Sequence, residues 1–152
     1  MIFTWIFIAA VAGMIFFFGF KMIKNISDTG EDVKVVKFFQ NFEKNINEFY
    51  YLDSGSRGKE TFYVPTSVEY ICARKKSSAS GTFPGITFDD KTKALIDNSQ
   101  NFNVFLSPIK DSNLDTKSVD NMNVNHQSKC VKVVNGMVEI NFKNNEGHVD
   151  IE

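Results

Sequence analysis

IFTWIFIAAVAGMIFFFGF, residues 2–20, is apolar at every position but Thr4, and its reading decides the fold. A helix rises roughly 1.5 Å per residue, so the stretch covers about 28 Å, close to the thickness of a hydrocarbon core. Thr4 can bond its hydroxyl to a nearby backbone carbonyl. Trp5 stands near one end, where an indole prefers the interface. Lys21 and Lys24 follow at the other end, where long stems reach headgroups. We read residues 1–24 as a transmembrane anchor. A cleaved signal peptide is the alternative, and Ala10-Val11-Ala12 resembles a small-x-small cleavage site. No basic residue precedes Lys21, however, and cutting there would leave Gly13 to Phe18 as an apolar terminus. Ala9 and Gly13 form a small-xxx-small pair, a candidate face for helix packing.

The rest of the chain is polar enough to live in water. Beyond the anchor, the 152 residues leave enough for one domain. The net charge of −1 supplies no basic field for nucleic acid or acidic lipid, and the lipid bilayer is the partner expected from the apolar stretch. Arg74-Lys75-Lys76 is a short basic run before a Ser-rich stretch, read as solvated loop. Ten of the sixteen phenylalanines lie before residue 50, in the anchor and the segment after it.

Residues 25–58 are read as a polar break, an amphipathic helix and a linker. Asn25 to Gly30 should end the membrane helix, and Thr29, Glu31 and Asp32 resemble a capped start with acids in the first turn. From there to Leu52, Val35, Phe39, Phe42, Ile46 and Phe49 recur at spacings of four and three, one stripe of a helix, with Val36 and Phe38 widening it. Two heptads between Asp32 and Asp53 are too few for a sustained coiled coil, so packing on the chain's own domain is expected, with oligomerisation as the functional alternative. Asp53-Ser54-Gly55-Ser56-Arg57-Gly58 reads as a flexible break.

Residues 59–152 change to period two and are expected to form a small, mostly antiparallel β domain, a sandwich or rolled sheet. Thr61 to Val64, Val68 to Cys72, Ile86 to Phe88 and Asn103 to Leu106 are candidate strands; Lys75 to Gly85 and Lys110 to Gln127 read mostly as loop. At the C-terminal end, Cys130 to Val134, Asn135-Gly136 and Met137 to Phe142 read as a hairpin with a type I′ turn. Asn144 to Gly147 turns into His148 to Ile151, completing an expected three-stranded meander.

Chemistry is sparse. There is no Gly-x-Ser-x-Gly, and Gly55-Ser56-Arg57-Gly58 lacks what a phosphate loop requires. His126 and His148 show no ligand spacing to the two cysteines, so neither a metal nor a cofactor is expected, and no enzymatic activity. Asp111, Asn113 and Asp115 alternate as a calcium loop begins, but Thr116 and Met122 stand where glycine and glutamate are needed. A hydrophilic turn is the simpler account. Asn25-Ile26-Ser27 fits the glycosylation pattern but lies close to the membrane end. Cys72 and Cys130 each lie in a strand-like run, leaving two buried thiols or a disulfide. A bridge would close a loop of about 58 residues and constrain the unfolded chain by about 4 kcal/mol.

Several fragments together resemble small single-pass anchored proteins of reduced-genome archaea. They are Phe3-Thr4-Trp5-Ile6-Phe7, Gly13 with Ile15 to Gly19, Val64-Pro65 with Val68 and Ile71-Cys72, Asn103 to Leu106 with Pro108, and Cys130 before Gly136. The resemblance implies an N-terminal anchor with a β-rich domain facing outward, and brings no catalytic residues. The chain departs from archaeal pilins in lacking a basic leader and a glutamate at the helix start. Lys21, Lys24, Lys34 and Lys37 argue for a cytoplasmic domain by the positive-inside rule. The paired cysteines and the resemblance argue for an extracytoplasmic one, which we take as the expectation. The expected function is a membrane-tethered interaction or structural module at the cell surface, contacting an envelope protein or its own copies. An accessory subunit of a membrane complex is the alternative.

Overall fold

The computed structural model describes residues 2–76, 83, 85–98, 101–124 and 128–152, with the side chains of residues 2, 21 and 23–29 excepted. His126, most of the Ser-rich loop after Lys76, and the side chains of Lys21, Lys24 and Asn25-Ile26-Ser27 lie outside the described residues. The architecture is of the expected class: an N-terminal apolar helical stretch, further helix, and two mostly antiparallel four-stranded sheets.

The first helix, α1, spans Ile2–Tyr50. It runs through residues 25–30, where a break was expected. Ser, Asp, Asn and Thr each lower helix propensity only by tenths of a kcal/mol, Gly30 by about 1, and the run contains no proline. By its contacts the chain divides into Met1–Val33 and Lys34–Glu152. In the first unit, Phe3–Phe20 is long and apolar enough to cross a membrane, and none of it is buried.

The second unit contains the rest of α1 and the β domain. Its strands are β1 (Arg57–Tyr63), β2 (Tyr70–Arg74), β3 (Val104–Ser107), β4 (Thr116–Lys117), β5 (Met122–Val124), β6 (Ser128–Lys132), β7 (Met137–Asn145) and β8 (His148–Ile151), with the helix α2 (Asp90–Asn98) between β2 and β3. One sheet has the order β1-β7-β8-β5 and the other β4-β3-β2-β6. Among the described residues only β5 and β8 pair in parallel. Val35, Phe38, Phe39, Phe42 and Ile46 of α1 join Phe62, Val138, Ile140, Phe142, Val149 and Ile151 of the first sheet, and Ile71, Ala73, Val104 and Leu106 of the second, in one core. Phe42 lies 5.7 Å from Phe62 and 5.9 Å from Phe142, ring to ring. Phe49 stacks on Phe142 at 5.3 Å. Glu43 reaches Lys117 of β4 at 2.5 Å. The helix ends without a glycine or basic cap: the Asn144 amide donates to the Leu52 carbonyl at 2.5 Å.

Three local expectations are corrected. β1 begins at Arg57, not Thr61, although Arg57-Gly58-Lys59-Glu60 shows no apolar alternation. Its outer edge faces solvent, and Gly58 leaves room for the Phe49 ring, which any side chain there would overlap. Ile86 to Phe88 is not a strand; α2 follows, capped by Asp89, whose carboxylate accepts from the Thr92 amide at 3.1 Å. The described part of the segment after Lys110 is mostly loop, as expected, interrupted by the short strands β4 and β5.

The third correction concerns the C-terminal meander. The Asn135-Gly136 turn forms with φ of 53° and 72°, as a type I′ turn requires, and Val134 and Met137 exchange backbone bonds at 2.9 and 3.0 Å. Yet β6 and β7 belong to different sheets. A strand has only two edges, and those of β7 are taken by β1 and β8. β6 lies beside β2 instead, so the tight turn carries the chain from one sheet to the other. Only the β7–β8 hairpin of the expected meander remains.

Candidate functional site

Ala9 and Gly13 are exposed, and a Cβ added at Gly13 would meet nothing within 4 Å. The stripe has a different fate. Val35, Phe39, Phe42 and Ile46 are buried in the core and Phe49 is half-buried against it. These side chains are committed to their own domain and do not offer a surface for oligomerisation. Off the stripe, Lys34, Lys37 and Lys44 remain exposed, while Glu43 and Asn45 are half-buried.

Cys72 and Cys130 are joined in a disulfide with their Cα atoms 4.0 Å apart. They face each other directly across β2 and β6. Val133 donates to the Glu69 carbonyl at 2.9 Å, which places the hydrogen-bonded pairs at odd positions of β2 and the cysteines at a non-hydrogen-bonded pair. There opposed side chains come closest, so the register itself brings the thiols together. Cys72 belongs to a second apolar cluster with Phe83, Ile96, Phe102, Phe105 and Ile109.

Arg74 corrects the reading of Arg74-Lys75-Lys76 as solvated loop. It is the last residue of β2 and only 2% exposed. Its Nε donates to the Phe102 carbonyl at 3.0 Å and an Nη to that of Ile96, in the last turn of α2, at 2.8 Å. The guanidinium lies 4.6 Å from the centre of the Phe102 ring. Burial lowers its pKa, and the charge of Asp97 opposes that shift. Arg74 is a structural bolt joining sheet to helix. Lys76 fits the solvated description, pairing with exposed Asp120 at 2.8 Å and lowering its pKa.

The other polar clusters also serve the fold. Asp115 accepts from the amides of Lys110 and Asp111 at 2.7 and 2.9 Å, and Asp111 accepts from the Asn113 amide at 2.9 Å. These carboxylates organise their own turn. Asn103, fully buried, exchanges two bonds of 2.7 Å with the backbone of Val119 and so substitutes for a strand partner. Asp150, also buried, accepts from Asn123 at 3.1 Å and from Asn145, with His148 at 3.4 Å. No signal in the sequence distinguishes these asparagines and this aspartate from surface ones, because their partners are remote in the chain. Among the described residues no group of three or more His, Cys, Asp or Glu side chains is arranged to hold a metal ion.

One concave feature is defined by two elements of the same unit. A groove of about 380 Å³ runs between α1 and β1, with Lys34, Lys37, Asn41 and Lys44 on the helix side and Glu60, Thr61 and Tyr63 on the strand side. Comparison with protein-family models, curated proteins and solved structures finds no match for this chain.

Proposed function

We propose that the chain is a membrane-tethered, non-enzymatic interaction or structural module, with the β domain outside the cytoplasm. The observation that carries this is the exposed apolar helical stretch Phe3–Phe20 on a chain whose other unit has its own core. Water does not tolerate that much contiguous apolar surface, whereas a bilayer requires it. The Cys72–Cys130 disulfide supports the outward placement, since such bonds persist in oxidising compartments. The resemblance to small anchored archaeal proteins points the same way. The accessory-subunit alternative rests on the Ala9/Gly13 face, since the stripe from Val35 to Ile46 is occupied.

Alkaline carbonate extraction tests the anchor. The full-length chain should stay in the membrane pellet, and Ile8→Arg with Phe16→Arg should release it, each charge costing about 3 kcal/mol within a bilayer. A mature chain whose mass begins after Ala12, or a wild-type chain released by carbonate, would show a cleaved leader instead of an anchor.

A further inference from the structure

β1 stands at the end of its sheet, with β7 on one side and no strand on the other among the described residues. The Val64 amide donates to the Gly136 carbonyl at 2.9 Å and the Asn144 amide to that of Ser56 at 2.8 Å. In the register that sets Arg57 opposite Lys143, both bonds fall at even positions of β1. Gly58, Glu60 and Phe62 therefore direct their backbone groups to β7, and Lys59, Thr61 and Tyr63 direct theirs to the free edge.

The groove beside α1 lies along that edge. A strand added to β1 would turn alternate side chains toward the helix wall, over Lys34, Lys37 and Lys44. Lys44 already has Glu48 at 3.4 Å. Lys34 and Lys37 form no ion pair among the described residues. Lys59 does not obstruct the edge, because Glu139 holds it at 2.5 Å on the other face of the sheet. Glu60 is the one acid lining the groove, so incoming carboxylates are favoured on either side of it.

We propose that this groove takes an extended polypeptide segment with acidic side chains, which adds to β1 as a fifth strand while its carboxylates meet Lys34 and Lys37. Main-chain bonds would supply affinity and the lysines selectivity. The proposal rests on the interaction-module function and names its partner class. A strand of apolar side chains would leave Lys34 and Lys37 unmatched, and a basic one would be repelled.

The test uses the full chain in detergent and two fluorescein-labelled peptides of equal length, one alternating Thr with Glu and one Thr with Lys. The glutamate peptide should give a saturable anisotropy change, weakening with salt, and the lysine peptide should bind at least about tenfold more weakly. Thr61→Pro removes an outward amide and leaves the β7 ladder intact, so it should weaken the glutamate peptide about tenfold. Lys34→Glu with Lys37→Glu, on an exposed helix surface that folding does not need, should do the same. Equal binding of the two peptides, no binding of the glutamate peptide, or wild-type affinity in the Lys34/Lys37 variant or in a folded Thr61→Pro variant would overturn the proposal. The interaction-module function fails separately, if cross-linking on native cells captures no neighbour from any face of the domain.

Discussion

The apolar residues near the start of α1 and those near its end share a composition and a secondary structure but not an environment. Phe3 is 87% exposed and Phe42 is 0% exposed. Between Phe3 and Phe20 apolar side chains cover the whole circumference, so no orientation against a single protein core would hide them, and a surrounding apolar solvent does. From Val35 to Phe49 all of them but the exposed Val36 occupy one stripe, with lysines, glutamates and asparagines elsewhere, and one sandwich packs over that stripe. The arrangement around the helix, and not the phenylalanine content, decides which segment a single protein core can bury.

Breaking that contrast should give the largest effect. Phe42→Ala should destabilise the domain by about 4 kcal/mol in urea unfolding of the full chain in micelles, because it empties a site among Phe38, Phe62 and Phe142. Phe17→Ala should leave that unfolding curve unchanged, since Phe17 is exposed. Equal effects would remove the distinction. The staple comes next: replacing Cys72 and Cys130 by serine should cost about 3 kcal/mol in the same assay. Gly58→Val should cost about 2 kcal/mol through overlap with the Phe49 ring. Phe49→Ala in the same chain should recover part of that loss, a coupling that a double-mutant cycle reads directly.

The smallest effect is acid fraying of α2. Bonds from Thr92 hold the Asp89 carboxyl below its usual pKa. A carboxylate whose folded pKa is depressed contributes stability above its unfolded value, near 4, and loses it as pH falls through the folded value. Amide protection over Lys91 to Ala94, taken relative to the intrinsic exchange rate at each pH, should therefore fall below about pH 4, and Asp89→Ala should show the lower protection already at neutral pH.

What the sequence disclosed follows the range of the forces involved. The apolar run Phe3–Phe20 and the stripe are patterns in neighbouring residues, one continuous and one at helical period, and the Asn135-Gly136 turn is set by the conformational freedom of two positions. The partner of a strand is not local. Cys130 to Val134 and Met137 to Phe142 looked like one hairpin, but β7 is more fully satisfied between β1 and β8. Arg74 looked like the start of a basic loop because the carbonyls that hold it belong to Ile96 and Phe102, more than twenty residues away. The groove was equally hidden, since it combines the end of β1, from Glu60 to Tyr63, with a flank of α1 that is remote from it in the chain. The disulfide was legible only as two cysteines in strand-like runs; which register they share required the sheet.

The most direct test is to label Cys72 and Cys130 on intact native cells with a membrane-impermeant thiol reagent, before and after a non-permeant reductant under mild denaturation. Labelling only after reduction is the expected result, and would place a disulfide-bonded domain outside the membrane. Cysteines that stay silent until the membrane is opened, and then react without reductant, would put the domain in the cytoplasm with free thiols and contradict the account.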